Sequence, residues 1–482
     1  MRLNRQSDPD ASQRLRLAPA AGLAVAMAAA GVAILTGCAQ VPTMPEPAST
    51  GSATPIAVTG PRGPLSQRQT NAVIKRLVAQ APDAGALERH LSIEQLVAGT
   101  PLSAGNQVTI LHDGPDTFAA IFAAIHAAKQ YLYLEYYIFE EVQYNGEQLS
   151  ELLLARAREG VHIVIMYDSV GSLSTPGAFF DRLTQAGIPV KAFNPLNPLT
   201  RHFAVNDRDH RKLLLADGRV AIIGGVNLSA DYESGFLGGS DKPAKAAPAH
   251  EPWHDTDLQI GGPAVSDLKL LFEQHWQQQG GDSAALAGDG GDDSSAAQGD
   301  QVVRIIGSQA GQRLSPRYYA TLLSAIRSTE SRIDVTAAYF APTHQESRAL
   351  LRAARRGVQV RLLLPSHSDS SPALAVQRSH YSALLRAGCQ VYERQDGILH
   401  SKTVVADGVW SIVGSSNFDH RSVLFNDEID AVVIGSRTGA ELESYFDEGV
   451  SHARRIDAQS WNQRPFSQRM RERFWRLWET LL

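Results

Sequence analysis

Two nine-residue segments of this 482-residue chain match each other 190 positions apart (400 minus 210), and this repeat constrains the fold more than any other feature. They are His210–Gly218 and His400–Gly408. The register continues without a gap into Gly224–Asn227 and Gly414–Asn417, so the two regions are copies of one structural unit. A chain of this length is long enough to fold as two packed halves.

Further repeated segments indicate what kind of structural unit is duplicated. Ala157–Val161 recurs as Ala354–Val358, and each copy leaves a helical pattern and enters a short apolar run. Those runs, Ile163–Tyr167 and Val360–Leu364, are typical of strands buried on both faces. A third echo relates residues 186–190 to residues 387–391. Alternating strands and helices in both halves predict the α/β fold class.

The N-terminus has the layout of an export signal. Four arginines within the first 16 residues precede an apolar run, Leu17–Gly37. The run ends in Leu35–Cys38, which resembles the lipobox of bacterial lipoproteins, where cleavage leaves an acylated cysteine. We expect lipid attachment at Cys38, with an uncleaved transmembrane helix as the alternative. Ala39, in place of an aspartate, favours the outer membrane and a protein facing the periplasm.

Low-complexity stretches suggest the domain boundaries. Residues 39–63 are rich in Pro, Ser, Thr and Gly and predict a flexible tether, and residues 278–300 predict a linker that cannot pack. The predicted order is a signal peptide (1–37), a tether and N-terminal lead-in (38–100), a first half (101–277, motif region 205–232), the linker (278–300) and a second half (301–482, motif region 395–422).

Composition restricts the chemistry. The net charge of −5 offers no broad basic surface, which disfavours nucleic acid as a partner. Two cysteines exclude a disulfide framework and a thiolate-rich metal site, and Cys389 is predicted to be a buried apolar residue. His250 and His254 fit the zinc motif H-E-x-x-H, but Pro252 breaks the helix that this motif requires.

The repeated histidine and lysine suit phosphodiester chemistry. An Asp-Gly pair between two apolar runs predicts a hairpin in each half, with His210 and Lys212, or His400 and Lys402, on one strand face. One imidazole can act as the nucleophile and the other as the acid. Two ammonium groups and two Asn amides can stabilise the charge on the phosphoryl oxygens. This chemistry needs no metal or cofactor.

Both segments match the H-x-K-x4-D motif of the phospholipase D superfamily, including the downstream Gly and Asn. The flanking sequences are similar to those of bacterial cardiolipin synthases, and the likeness runs from about Val108 to the C-terminus. The matching segments are Asn206–Lys212, Gly414–Ser422, Asn426–Glu428, Leu134–Phe139, Tyr167–Ser172 and Tyr339–Pro342.

This resemblance implies two α/β/α halves packed around one active site at their interface, in a protein active as a monomer. One histidine attacks the phosphorus of a phospholipid and the other protonates the departing alcohol. An incoming hydroxyl then resolves the phosphatidyl-histidine, and exclusion of water decides between transfer and hydrolysis. Either histidine can be the nucleophile, with a preference for His210.

The resemblance also assigns supporting residues. Glu428 and its first-half counterpart Asp255 are expected to orient the imidazoles. The motif residues Asp217 and Asp407 are included among the catalytic residues, although Asp-Gly favours a hairpin turn whether or not chemistry occurs nearby. The candidates for phosphate binding are Asn227, Asn417 and Ser415.

Three functional classes follow from these residues. The leading hypothesis is a phosphatidyltransferase of the cardiolipin synthase type, whose acceptor is phosphatidylglycerol or a similar lipid and whose substrates can include phosphatidylethanolamine. A hydrolytic phospholipase D or another phosphodiesterase, including a nuclease, would use the same residues. A lipid-binding protein without catalysis is disfavoured because both motifs are complete.

The C-terminal residues have helical spacing of apolar side chains interleaved with arginines. Packing against the second half is the expected outcome, and an interfacial helix at a membrane is the alternative. The apolar residues are Phe474, Leu477, Trp478, Leu481 and Leu482, and the arginines are Arg471, Arg473 and Arg476.

Overall fold

The computed structural model describes residues 41–44, 56–81, 83–97, 99–195, 206–233, 252–286, 296–309 and 317–481. The predicted signal peptide, Cys38 and His250 lie outside these residues, as do most of the tether and the middle of the linker. Among the helices of the described ranges, none has the length and apolar character needed to cross a bilayer.

The N-terminal lead-in is folded. Its strands are β1 (Val58–Gly60) and β2 (Gly63–Pro64), and its helices are α1 (Gln67–Gln80) and α2 (Ala84–Val97). The tether prediction over residues 39–63 was therefore too long at its end, because Val58 is buried and β1 pairs with β2 and with the strand at residues 102–112.

The first half is built on a seven-stranded sheet of order β8-β7-β4-β10-β11-β13-β3. Strands β4, β7 and β8 are parallel, and the other neighbours pair antiparallel. The strands are β3 (Leu102–His112), β4 (Tyr131–Tyr136), β5 (Gln143–Tyr144), β6 (Glu147–Gln148), β7 (His162–Asp168), β8 (Val190–Phe193), β9 (Arg208–Asp209), β10 (Lys212–Ala216), β11 (Val220–Gly224), β12 (Trp253–His254) and β13 (Thr256–Gly261). The helices are α3 (Asp113–Ala127), α4 (Leu149–Arg158), α5 (Gly177–Gln185) and α6 (Ala264–Gln278), with 3-10 turns at Ala230–Tyr232 and Ser283–Ala285.

The second half repeats the same strand order, β17-β16-β15-β19-β20-β21-β14, as the sequence repeat predicts. The strands are β14 (Gln301–Ser308), β15 (Arg332–Thr336), β16 (Gln359–Pro365), β17 (Gln390–Arg394), β18 (Ile398–Leu399), β19 (Thr403–Ala406), β20 (Trp410–Gly414), β21 (Asn426–Ile434) and β22 (Ala453–Arg455). The helices are α7 (Arg317–Ser328), α8 (His344–Arg355), α9 (Ser371–Ala387), α10 (His420–Leu424), α11 (Ser436–Ser451), α12 (Ala458–Asn462) and α13 (Phe466–Arg476), with a 3-10 turn at Glu479–Leu481.

The repeated glycines end helices. Gly160 and Gly357 follow α4 and α8 with φ of 92° and 99°, a left-handed conformation that glycine adopts without steric cost. Each turn directs the chain into a strand of the parallel part of its sheet, β7 or β16. The predicted strands over residues 163–167 and 360–364 are confirmed within β7 and β16.

Both predicted Asp-Gly hairpins are confirmed. Asp217 and Gly218 have φ of 52° and 63°, and Asp407 and Gly408 have φ of 52° and 66°. Two successive residues with positive φ form a tight turn, and each hairpin loop has three residues because Ala216 pairs with Val220 and Ala406 with Trp410. The hairpins join β10 to β11 and β19 to β20, so both motifs begin on equivalent strands.

The two halves share one sheet junction and one core. Strand β14 pairs antiparallel with β3, so the sheets of both halves are continuous at this point. One hydrophobic cluster contains side chains of both sheets, which fixes the halves against each other. Its members include Val108, Leu213 and Phe272 from the first half and Val303, Val413 and Ile429 from the second.

A buried charge network crosses the same junction. His275 of α6 lies 2.6 Å from Glu135 through Nδ1 and 2.8 Å from Asp427 of the second half through Nε2. Arg211 contacts Glu135 at 3.3 Å. Burial and Arg211 lower the pKa of His275, but the carboxylates outweigh both and raise it to about 9. The imidazolium therefore neutralises carboxylates that the fold buries.

This network predicts a pH dependence of stability. The pKa of His275 rises on folding from 6.5 to about 9, so its contribution is fully present below pH 6.5 and is lost as the pH rises through about 9. We expect the thermal midpoint of the wild type to fall over this window. His275→Gln should have a midpoint several degrees lower at pH 6.5 and a flatter profile. His126→Gln is the control, since His126 forms an exposed ion pair; equal pH profiles for His275→Gln and the wild type would contradict the assignment.

Candidate active site

Glu428 of the second half holds the first motif histidine. The short strand β9 precedes His210 and pairs in parallel with the first residues of β21. The backbone N–H of His210 donates to the carbonyl oxygen of Asp427 at 2.9 Å. The next residue, Glu428, then lies with Oε2 3.0 Å from His210 Nδ1.

Asp255 of the first half holds the second motif histidine in the same way. Strand β18 precedes His400 and pairs in parallel with β12, and His400 N–H donates to the carbonyl oxygen of His254 at 2.7 Å. Asp255 follows, with Oδ2 2.6 Å from His400 Nδ1. Both predicted carboxylates therefore lie in the site, exchanged between the halves. A carboxylate on Nδ1 holds the ring proton there and leaves the lone pair on Nε2.

Two buried lysines lie beside the imidazoles. Lys212 and Lys402 are each two residues beyond their histidine and donate to its carbonyl oxygen, Lys212 at 2.6 Å. Lys402 Nζ also lies 3.0 Å from His400 Nε2. Burial and the charge of Lys402 lower the pKa of Lys212 to about 7, and burial lowers that of Lys402 to about 8. A bound anion would stabilise both ammonium groups.

The two imidazoles belong to one electrostatic site. Burial and then Lys402 lower the pKa of His400 to about 4, against the opposing effect of Asp255. Burial and Lys212 likewise lower the pKa of His210, and Lys402 of the other half contributes to the same effect. Without a bound anion both rings therefore favour the neutral form more than a free imidazole does, and their side chains stay 11% and 9% exposed, within reach of a substrate.

Aromatic rings surround the two histidines unequally. The ring of Tyr137 lies 5.2 Å from that of His210. The ring of His400 has three aromatic neighbours at centroid distances of 5.9, 5.2 and 6.2 Å. These neighbours are Tyr232, Trp253 and Tyr339, and they give His400 the more apolar surroundings.

The two motif aspartates, which the prediction includes among the catalytic residues, accept hydrogen bonds from backbone turns. Asp217 accepts from the backbone N–H groups of Lys129, Gln130 and Tyr131 at 2.7 to 2.9 Å. Asp407 accepts from the corresponding turn at residues 330–332 in the second half. Asp217 lies five positions beyond Lys212, roughly 16 Å away at the rise of an extended chain. Of the two alternatives that the sequence left open, these contacts support the hairpin role.

The phosphate candidates have different surroundings. Ser415 donates to Glu428 at 2.6 Å and accepts from the N–H of Ile429 at 3.0 Å, so its hydroxyl positions a carboxylate, while its role in phosphate binding stays a prediction. Asn227 accepts from the N–H of Ile138 at 3.1 Å and contacts Tyr232 at 3.4 Å, which leaves one amide N–H for a phosphate. Asn417 Oδ1 is buried and accepts no hydrogen bond within the described part of the chain.

Three residues that contact His400 or Glu428 were not predicted from the sequence as parts of the site. The hydroxyl of Tyr232 lies 3.0 Å from His400 Nδ1. Ser422, which the repeat places at the same position, donates to Glu428 at 2.7 Å, and Asn426 donates to the same oxygen at 3.1 Å. Extending the 190-residue register by five positions beyond the repeated Asn would have identified Tyr232 and Ser422.

A repeated aspartate supports the loop after each hairpin. Asp257 accepts from the N–H of Val226 at 3.0 Å, and Asp430 accepts from Ser416 Oγ at 2.6 Å. A Cβ on Gly224 or Gly414 would lie 2.0 or 2.2 Å from these carboxylates, so only glycine fits there. Burial raises the pKa of both aspartates to about 8, and a protonated carboxyl can also donate in this loop.

The residues with metal-ligand chemistry form ion pairs instead. Glu135, Asp209 and His275 lie close enough to share a cation. Both nitrogens of His275 already face carboxylates, and its pKa is raised. Arg211 contacts Glu135 in the same group, so two positive side chains offset the charge of these carboxylates. His254, the described member of the H-E-x-x-H sequence, lies in strand β12 and pairs with Asp113 at 3.1 Å.

Known proteins resemble the chain in sequence and in fold. The family described as "Cardiolipin synthase, PLD-like domain" matches residues 121–234 and 322–449, which include both motif regions. A cardiolipin synthase of Geobacillus kaustophilus is 33% identical over 387 residues, which cover 79% of this chain and 74% of the relative. Cardiolipin synthase A of Pseudomonas syringae pv. syringae is 32% identical over 361 residues, 74% of this chain and 71% of the relative.

A solved structure shares the fold. The phosphatidylserine synthase of Haemophilus influenzae Rd KW20 aligns with a TM-score of 0.58 and 14% identity, and the alignment covers 82% of this chain and 100% of that one. The two sequence comparisons extend across both halves and the site between them. The chain therefore belongs to the cardiolipin synthase family of phospholipase D-like proteins, and it is a phosphatidyltransferase that acts on phospholipids.

Proposed function

We propose that this phosphatidyltransferase makes cardiolipin through a covalent phosphatidyl-histidine, with phosphatidylglycerol as donor and acceptor and without a metal. The observation that carries the proposal is the pair of buried imidazoles, each held on Nδ1 by a carboxylate of the other half. Phosphatidylethanolamine is the second donor to consider, because the same chemistry would expel its headgroup alcohol.

The reaction has two balanced steps. In the first, Nε2 of one neutral imidazole forms a bond to phosphorus, and the bond from phosphorus to the headgroup oxygen breaks. The other ring acts as an imidazolium, which the bound phosphate stabilises, and its Nε2 gives a proton to the departing alcohol. In the second, that imidazole takes the proton of the acceptor hydroxyl, whose oxygen displaces the first histidine from phosphorus. Lys212 and Lys402 bind the phosphoryl oxygens, whose negative charge raises the pKa of both ammonium groups.

Transfer to a lipid hydroxyl requires that water be kept from the intermediate. The aromatic residues Tyr232, Trp253 and Tyr339 around His400 occupy space that water would otherwise fill. Aromatic faces also accommodate the glycerol and acyl portions of an acceptor lipid. These surroundings support the transferase over the hydrolase.

The first test is product analysis with purified protein in vesicles of labelled phosphatidylglycerol. We expect cardiolipin and glycerol from the wild type, and a loss of about 10³-fold or more in His210→Ala and in His400→Ala, because either step needs both rings. The exposed residues His126 and His452 supply control substitutions, one in each half. Phosphatidic acid as the sole product would show a hydrolase and end the synthase proposal.

A second experiment assigns the roles of the two histidines, with His210 proposed as the nucleophile. His400 Nδ1 has two oxygen partners, Asp255 and Tyr232, which stabilise an imidazolium once bound phosphate has neutralised the lysines. A phosphatidyl-p-nitrophenol donor releases p-nitrophenolate without needing an acid. We expect His400→Ala to give a stoichiometric burst and a lipid adduct detectable by mass spectrometry on His210, and His210→Ala to give neither. The reverse pattern would assign attack to His400.

We also propose that the chain is an exported bacterial lipoprotein, acylated at Cys38 and facing the periplasm, with the outer membrane as its location. The support is the apolar run over residues 17–37 and the lipobox-like end at Leu35–Cys38. Membrane attachment agrees with a phospholipid substrate.

Acylation can be tested directly in cells. The wild type should incorporate labelled palmitate into the mature chain, and Cys38→Ser should incorporate none. Cys389→Ser is the matched control, because Cys389 is buried and its pKa is raised by burial to about 12. Palmitate incorporation that survives in Cys38→Ser would contradict the proposed anchor.

A further inference from the structure

The C-terminal helix α13 exposes its apolar stripe instead of burying it. The expected packing of Phe474 and Leu477 against the second half was wrong, since these side chains are 54% and 79% exposed. Phe466 and Met470 extend the stripe and are 70% and 45% exposed. At about 100° per residue the four side chains lie within an arc of about 80°.

The opposite face of α13 explains why the helix is nevertheless ordered. The helix packs against α9. Its one buried residue, Glu472, accepts from Arg464 at 2.7 to 3.2 Å, and Trp475 is half-buried on the same side. The stripe is therefore held outward by a polar contact on the inner face.

Exposed arginines border the stripe on both sides. On the helical wheel, Arg469, Arg473 and Arg476 lie along one edge and Arg471 along the other. This concentration of positive charge contrasts with the net charge of −5 for the whole chain. Apolar side chains between arginines complement the acyl region and the phosphate groups of an anionic lipid surface.

Contacts connect the end of α13 to the aromatic residues around His400. Glu479, just beyond the helix, lies 2.6 Å from His380. The ring of His380 lies 6.1 Å from Phe340, whose neighbour Tyr339 borders His400 at 6.2 Å. Three side-chain contacts and one peptide bond therefore link Glu479, two residues beyond the stripe, to the catalytic His400.

The N-terminal segment reaches the same region of the second half. The backbone N–H and carbonyl of Met44 bond with Gln345 at 3.0 and 2.9 Å, and Gln345 follows Phe340 by five residues. Met44 lies six positions after Cys38, which allows a span of at most about 21 Å. An anchor at Cys38 would hold this part of the surface near the bilayer.

We propose that α13 is a membrane-docking helix whose stripe of Phe466, Met470, Phe474 and Leu477 inserts into the interface of an anionic phospholipid bilayer. Docking brings the mouth of the site to the lipid headgroups, so that a substrate lipid moves only a short way out of the bilayer. The proposal concerns the orientation of the protein on the membrane, and it does not depend on which lipid is transferred.

Fluorescence quenching tests the docking in the full chain. Met470→Cys, labelled with an environment-sensitive fluorophore, is incorporated into vesicles that carry nitroxide-labelled lipid. The matched control is Leu270→Cys, because Leu270 is a similarly exposed apolar residue, at 53%, on helix α6. In vesicles of phosphatidylcholine with phosphatidylglycerol we expect quenching at position 470 several-fold stronger than at position 270. Equal quenching at both positions would overturn the proposal. So would a fluorescence change at position 470 that rises with protein concentration in the absence of vesicles, because it would show that the stripe binds a second copy of the chain.

Charge and activity provide two further arms. Arg469→Glu with Arg473→Glu should lower the quenching at position 470 several-fold on the phosphatidylglycerol vesicles and leave it unchanged on phosphatidylcholine alone; unchanged quenching on both would exclude the electrostatic part.

Phe474→Asp should lower turnover of vesicle lipid several-fold and retain turnover of a soluble short-chain phosphatidylglycerol, with Leu270→Asp as control. Loss of both turnovers, or of neither, would contradict docking. An inactive wild type would instead count against the proposed reaction, because the quenching result is independent of turnover.

Discussion

The hydrogen bond from each motif imidazole to a carboxylate of the other half is the contact on which the site depends. Neither half can complete its own histidine, because Glu428 orients His210 and Asp255 orients His400. The exchange is set by backbone geometry, since two-residue parallel pairings bring the strands before each histidine and each carboxylate together. The shared core and the β3 to β14 pairing hold those short strands in register. A site made in this way exists only when both halves are folded and docked.

The two copies have adapted to carboxylates of different length. Gly225 and Ser415 occupy the same position of the repeat. A Cβ at Gly225 would lie 2.1 Å from Asp255 Oδ1, so the glycine makes room for the shorter acid. At Ser415 the side chain is present and donates to Glu428 at 2.6 Å. The result is the same constraint on Nδ1 from two different local solutions, which explains why an imperfect repeat can still form a nearly symmetrical site.

The sequence predicted the duplicated α/β architecture, the two hairpins and the paired His and Lys, because each leaves a local pattern of period, turn chemistry or repeat. It did not predict the folded lead-in, whose strand β1 is stabilised by distant pairing with β3 and leaves only three residues of local signal. The motif aspartates show a different limit. Asp217 lies in a motif with His210 and Lys212, but an extended strand carries it to the opposite end of the sheet, where it bonds a turn. Residues of one motif are close in sequence, but an extended strand between them can place them far apart in the structure.

The electrostatics of the site explain how a chain of net negative charge can act on anionic lipids. Two lysines are buried beside each other, and burial lowers the pKa of Lys212 to about 7 and that of Lys402 to about 8. Without a ligand it is therefore unfavourable for both to be charged at once. Two carboxylates reduce that repulsion, but both are committed to histidines, and burial still lowers the pKa of both lysines. A phosphodiester supplies the missing anion and restores both ammonium groups, and this gain grows as charge builds on the phosphoryl oxygens in the transition state. Substrate binding and transition-state stabilisation thus both depend on the two buried lysines, and the overall charge of the surface has little influence on either.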